Sequence, residues 1–113
     1  MVATAAELKQ AIDDFIRLLQ RGIRVEAVIL YGSYVSGGEP HEWSDIDVAI
    51  ISPDFEGKSL PERQRIISKL TFERVSRIEP IGYPSSEYHN PGPHSFLGEI
   101  IRTGRLVYQA PAE

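Results

Sequence analysis

Two carboxylates one residue apart, Asp45 and Asp47, open an apolar run that ends at Ile51, and an earlier apolar run from Val28 ends in Gly32-Ser33. This unit constrains the chain more than any other part of it. It reads as a strand, a tight turn, a polar loop and a second strand. Side chains at i and i+2 of a strand point to the same face, roughly 6–7 Å apart along it. Two acids so placed suit a pair of divalent cations, which sit about 3.5–4 Å apart in two-metal sites. The Gly-Ser turn supplies backbone N–H groups and a hydroxyl that phosphate oxygens can accept from. Metal ligands and a phosphate cradle in one short unit point to nucleotide chemistry.

At 113 residues the chain is expected to form one domain, residues 1–113, with a single core. A formal charge of −4 argues against bulk electrostatic binding of nucleic acid, so a polyanion would have to be handled locally, through metal ions. There is no cysteine, which removes disulfides and thiolate metal sites. No apolar run approaches the ~20 residues of a membrane span, and the N-terminus lacks a signal-peptide pattern. The expectation is a cytoplasmic protein without membrane contact.

Thr4 and Glu7 match a capping box, followed by Leu8, Ala11, Ile12, Phe15, Ile16 and Leu19 at helical spacing and by Gly22 as the stop. Val25–Tyr31 is an apolar run of strand length, expected to be covered on both faces. Tyr34–Gly38 has room for one helical turn before a loop. In the second strand Asp45, Asp47, Ala49 and Ile51 share one face, while Ile46, Val48 and Ile50 form the core face; Ser52-Pro53-Asp54 ends it. A second capping box, Ser59 and Glu62, opens a helix with Ile66, Ile67, Leu70 and Val75 inward and Arg63, Arg65 and Lys69 toward water. Arg77–Ile81 reads as a short third strand that Pro80 consigns to an edge or to an early end. Pro84–Pro93 is expected to be a polar loop. Phe96, Leu97, Ile100 and Ile101 mark a last helix stopped by Gly104, and Leu106-Val107-Tyr108 a closing strand.

Two side chains seldom hold two magnesium ions, each of which needs about six oxygens. Glu79, flanked by Ile78, Pro80 and Ile81 at a strand start, is the best third acid. The bland alternative is that Asp45 caps a turn while Asp47 and Glu79 are merely solvated; their adjacency to a Gly-Ser turn favours the site. Trp43 is read as shielding a strand start, with stacking on a base as its alternative; Tyr31 and Tyr34 are candidate pocket residues, of which Tyr31 is read rather as core. His41, His89 and His94 are too scattered for a zinc site, and Lys58, Arg63 and Arg65 are assigned to a solvated face.

Gly32-Ser33, eleven residues, then Asp-x-Asp resembles the motif of the minimal nucleotidyltransferases of the DNA polymerase β superfamily. Ile78-Glu79-Pro80-Ile81 is similar to that family's later acidic strand. Glu99–Tyr108 is similar to its closing Glu-Ile-x-Arg-x-Gly-x-x-x-Tyr segment. The resemblance implies an α/β (α+β) fold, a small mixed sheet with packed helices. It also implies magnesium-dependent transfer of a nucleoside monophosphate, in the first instance AMP from ATP, to a hydroxyl. By the same resemblance Asp45, Asp47 and Glu79 are the catalytic, metal-holding acids for two Mg2+ ions. Gly32, Ser33 and Tyr34 lie against the nucleoside triphosphate. Small members act beside a HEPN-domain partner toxin whose tyrosine they modify, an antitoxin role; association with further copies of the chain is left open.

Two positions depart from the family pattern. Tyr34 stands where many members carry Arg, and Glu79 where Asp is common. They keep alive an alternative in which the chain is a catalytically inactive relative that acts as a partner-binding module. Small-molecule adenylylation, as of aminoglycosides, is disfavoured because no added acceptor-binding domain is visible.

Overall fold

A computed structural model describes residues 5–32, 46–71 and 77–111. In chain order they form α1 (Ala5–Leu19), β1 (Ala27–Tyr31), β2 (Ile46–Ser52), a 3-10 turn (Pro53–Phe55), α2 (Leu60–Thr71), β3 (Ile78–Pro84), α3 (Ser85–His89), α4 (Phe96–Thr103) and β4 (Arg105–Gln109). The strands make one four-stranded mixed sheet in the order β3-β2-β1-β4. β1 runs antiparallel to β2 and β4, whereas β2 and β3 are parallel, which requires the long crossover that α2 provides. This is the expected α/β architecture.

Helices cover both faces, so the central strands are apolar almost throughout. On one face Ile12, Phe15, Ile16 and Leu19 of α1 and Ile67 of α2 meet Val28, Leu30, Ile46, Val48 and Ile50 of the sheet. On the other, Leu97 and Ile100 of α4 pack on Ala27, Ile29, Ala49 and Ile51, with Tyr83 and Tyr88 alongside. The alternation in β2 is therefore as expected: both sets are buried, and the face bearing Asp47 turns apolar toward Ile51. Ser52 ends the strand and its hydroxyl caps the 3-10 turn by accepting from the Asp54 N–H. The Ser59–Glu62 capping box forms, with Ser59 N–H donating to Glu62 Oε1 at 2.9 Å and Glu62 N–H to Ser59 Oγ at 3.4 Å. Its counterpart at Thr4, the turn at Tyr34–Gly38 and the inward Val75 lie outside the described residues.

Three expectations need correction. β3 runs past Pro80 to Pro84, because it is an edge strand whose open side is braced by a side chain. The Gln64 carboxamide donates to Pro80 O at 2.8 Å and accepts from Gly82 N–H at 2.9 Å, occupying the place of a peptide group in a parallel ladder. Proline's missing donor falls where no partner strand needs it. The region taken as a polar loop begins instead with the last residue of β3 and with α3, whose Tyr88 packs against the sheet. Arg63, assigned to water, is half-buried: its Nε and Nη1 are shielded and have no hydrogen-bond partner among the described residues.

Candidate active site

Strand register assembles the site. Asp47 is the direct partner of Tyr31 in β1 and of Glu79 in β3, so three side chains stand in a row across three strands. Neighbouring strands lie about 4.8 Å apart and directly paired residues project to one face. Glu79 thus lies beside Asp47, as its position between core-facing neighbours predicts, half-buried Asp47 next to exposed Glu79. Together with Leu60 and Gln64 from α2 and Pro80 and Ile81 from β3, the row lines a cleft of about 250 Å³.

Gly32 closes β1 in the left-handed region, φ 81°, which glycine adopts without steric cost. A Cβ there would lie 2.5 Å from Asp47 Oδ2. The positive φ is what favours glycine here, and any side chain would also displace the Asp47 carboxylate from its place against the backbone. The turn and the acid are in contact, not separated by core.

The electrostatics follow from that crowding. Burial, then the Asp47 carboxylate, then Tyr83 and Glu79 push the Tyr31 hydroxyl from its ordinary 10.0 up to about 12. It stays a proton donor at neutral pH, beside two acids. Tyr31 is thus part of the site and not simply core, which strand periodicity alone could have shown: it pairs with Asp47 once the two strands are set antiparallel. Burial also raises the Tyr83 hydroxyl, with Glu87 adding to the shift and Arg63 opposing it. Leu60 and Gln64 had no local signal of a site role, since a crossover helix brings them.

Asp45, Ser33, Tyr34, Trp43 and His41 lie outside the described residues. Among the described residues no three His, Cys, Asp or Glu side chains cluster to hold a metal; Asp47 and Glu79 supply two carboxylates. Adjoining acids of this kind, with a glycine leaving room for one of them, fit divalent cations to which a third acid would complete the oxygen set. His89 closes α3, pairs with the Glu26 carboxylate at 2.5 Å and packs edge-on against Tyr88. Lys58 and Arg65 are exposed, as expected.

The closing segment does structural work. Glu99 and Arg102 pair along α4, and Tyr108 Oη accepts from Gln20, just past the end of α1, at 3.2 Å. Gly104 lets the chain turn into β4, since a Cβ would lie 2.6 Å from Ile100 O. A larger hollow of about 990 Å³ at the opposite end of the strands is lined by Gln20, Arg24, Glu26 and Gln109. Among the described residues that line it, the one carboxylate is Glu26, already engaged by His89.

The family model described as "Polymerase beta, Nucleotidyltransferase" matches residues 13–113. The chain belongs to this family. A crystal structure of a provisionally assigned nucleotidyltransferase from Sulfolobus solfataricus superimposes with a TM-score of 0.67 at 14% identity, over 89% of this chain and 79% of that one. A toxin–antitoxin structure with AMP-PNP gives a TM-score of 0.54 at 20% identity, over 90% and 73% of the two chains. A mutant of the toxin–antitoxin pair MntA–HpeT gives 0.53 at 18%, over 87% and 73%. At these identities the likeness is one of fold. No curated protein matches the chain. As a polymerase β nucleotidyltransferase, the protein has a general role in nucleotidyl transfer. No described helix is long and apolar enough to cross a membrane.

Proposed function

We propose that this nucleotidyltransferase moves a nucleoside monophosphate, AMP from ATP, onto a tyrosine hydroxyl of a HEPN-type partner protein, as an antitoxin does to its toxin. The observation that carries the reading is the direct pairing of Asp47 with Glu79 beside the Gly32 turn, in a chain of this family. In the reaction the acceptor oxygen bonds to the α-phosphorus and the bond from that phosphorus to the bridging oxygen breaks, releasing pyrophosphate. Asp45, Asp47 and Glu79 would hold the two magnesium ions. When bound, the ions neutralise phosphate charge and make the acceptor hydroxyl easier to deprotonate. In this reading Glu79 takes that proton. Gly32, Ser33 and Tyr34 position the β- and γ-phosphates. Toxin–antitoxin systems among the structural neighbours, one of them with AMP-PNP, support the partner class and the nucleotide.

The decisive experiment incubates the protein with α-labelled ATP, magnesium and its candidate helical partner. Label on the partner, lost in the Asp45→Asn/Asp47→Asn double variant, is the expected result. The absence of two family features, an Arg at position 34 and an Asp at position 79, favours one rival reading, a catalytically inactive module that neutralises its partner by contact. That rival requires no label with any of the four triphosphates and full neutralisation by the double variant.

A further inference from the structure

We infer that Phe96, at the first position of α4, is the platform on which the nucleobase of the bound triphosphate stacks. The inference rests on the nucleotide reading of the Asp47–Glu79 cleft. Among the described Phe and Tyr residues Phe96 alone is exposed; the others are buried or half-buried, most of them in the packing on the two sheet faces. Among the described residues it is also the most exposed of the large apolar side chains, at 58% against 48% for Leu106, 42% for Leu60 and 37% for Ile101. An isolated exposed apolar residue needs no explanation. Phe96 is not isolated in this sense, because its ring meets the ring of Tyr31 edge to face, with centroids 5.8 Å apart and planes at 86°. Tyr31 in turn is the strand partner of Asp47. The aromatic ring therefore touches Tyr31, the strand neighbour of Asp47 at the edge of the acid row.

A nucleoside triphosphate has the matching layout. Its charged end belongs with the acids and the glycine turn. Its flat, weakly polar end projects one sugar away, and in water that end seeks an aromatic face. Contact with Tyr31 fixes the Phe96 ring in place, so little side-chain freedom is lost when a base covers it. The ring offers no hydrogen-bonding group, so this contact holds bases by their π-faces and discriminates weakly among them.

Equilibrium binding of AMP-PNP and of inorganic tripolyphosphate, each with magnesium, to the full chain and to its Phe96→Ala and Phe96→Trp variants tests the assignment. Removing a stacking partner from a base weakens binding roughly tenfold or more. Phe96→Ala is expected to lose that much for AMP-PNP and nothing for tripolyphosphate, with the guanosine analogue losing a similar factor. Phe96→Trp, which offers a larger face, should bind AMP-PNP at least as well as the native chain. Unchanged AMP-PNP binding by Phe96→Ala overturns the inference and leaves the nucleotide reading standing. So does an equal loss for both ligands, which would mark a disturbed cleft. If the native chain binds neither ligand, the nucleotide reading fails first and the stacking role with it.

Discussion

The Tyr31 hydroxyl shows how much a single side chain can record about its surroundings. It is held protonated by burial, by the carboxylate of its strand partner Asp47 and, more weakly, by Tyr83 and by Glu79 one strand further on. Since its folded value of about 12 lies above the ordinary 10.0, its contribution to stability is complete below about pH 10 and is lost as pH rises toward 12. Phenolate absorbance followed through an alkaline titration should show a late-ionising component that Tyr31→Phe diminishes, with Tyr83 left as a second raised hydroxyl. In Asp47→Asn the same step should move down, though not fully to 10, because burial is the larger cause. A titration in which Asp47→Asn leaves that step in place would separate the two residues and undo the row. Gly32 belongs to the same scale: its positive φ and its contact with Asp47 Oδ2 tie the turn and the acid into one unit.

Among the elements, β3 depends on a helix for what its missing neighbour would supply. Gln64 gives its edge one donor and one acceptor, and neither a carboxylate nor an apolar side chain can do both. Replacing Gln64 with Glu turns the donor to Pro80 O into a second acceptor, a change worth about 1–3 kcal/mol at neutral pH. The folded state then disfavours the charged form, so the substituted side chain's pKa rises and stability returns as pH falls and the carboxyl regains a proton. Gln64→Ala loses both bonds without that recovery. Urea midpoints for the two variants at neutral and mildly acidic pH distinguish these outcomes, and equal behaviour would mean that the bracing contributes nothing. Because Glu79 begins this strand, a loosened β3 should also weaken whatever the cleft binds.

For the whole molecule, the central fact is a sheet covered on both faces, with the site at the end where β1 leaves and β2 enters. The cleft stands on a rigid floor because Ile50, Val48 and Leu30 beneath it are buried against α1 and α2. Ile50 is fully buried, and Ile50→Ala should cost about 2–5 kcal/mol, with the urea midpoint falling at unchanged slope. A variant within 1 kcal/mol of the native chain would show that this layer collapses onto the void, contrary to the packing described. Such a floor explains how an acidic chain could present carboxylates at fixed spacing without a basic surface to steer its ligand: the geometry is made by strand register, not by long-range charge.

What the sequence determined by itself was local and periodic. The alternation through Ile46–Ile51 assigned its two faces, Ser59 and Glu62 marked a helix start, and Gly104 marked a helix end, while Gly32-Ser33 with Asp45 and Asp47 raised the expectation of a nucleotide site. These signals are carried by residues within a few positions of one another, so a linear reading reaches them. The direct pairing of Glu79 with Asp47, the bracing of β3 by Gln64, the half-burial of Arg63 and the exposure of Phe96 were decided by tertiary structure alone. Each depends on which strand lies beside which and on where a crossover helix lands. No residue's own neighbours in the chain carry that information.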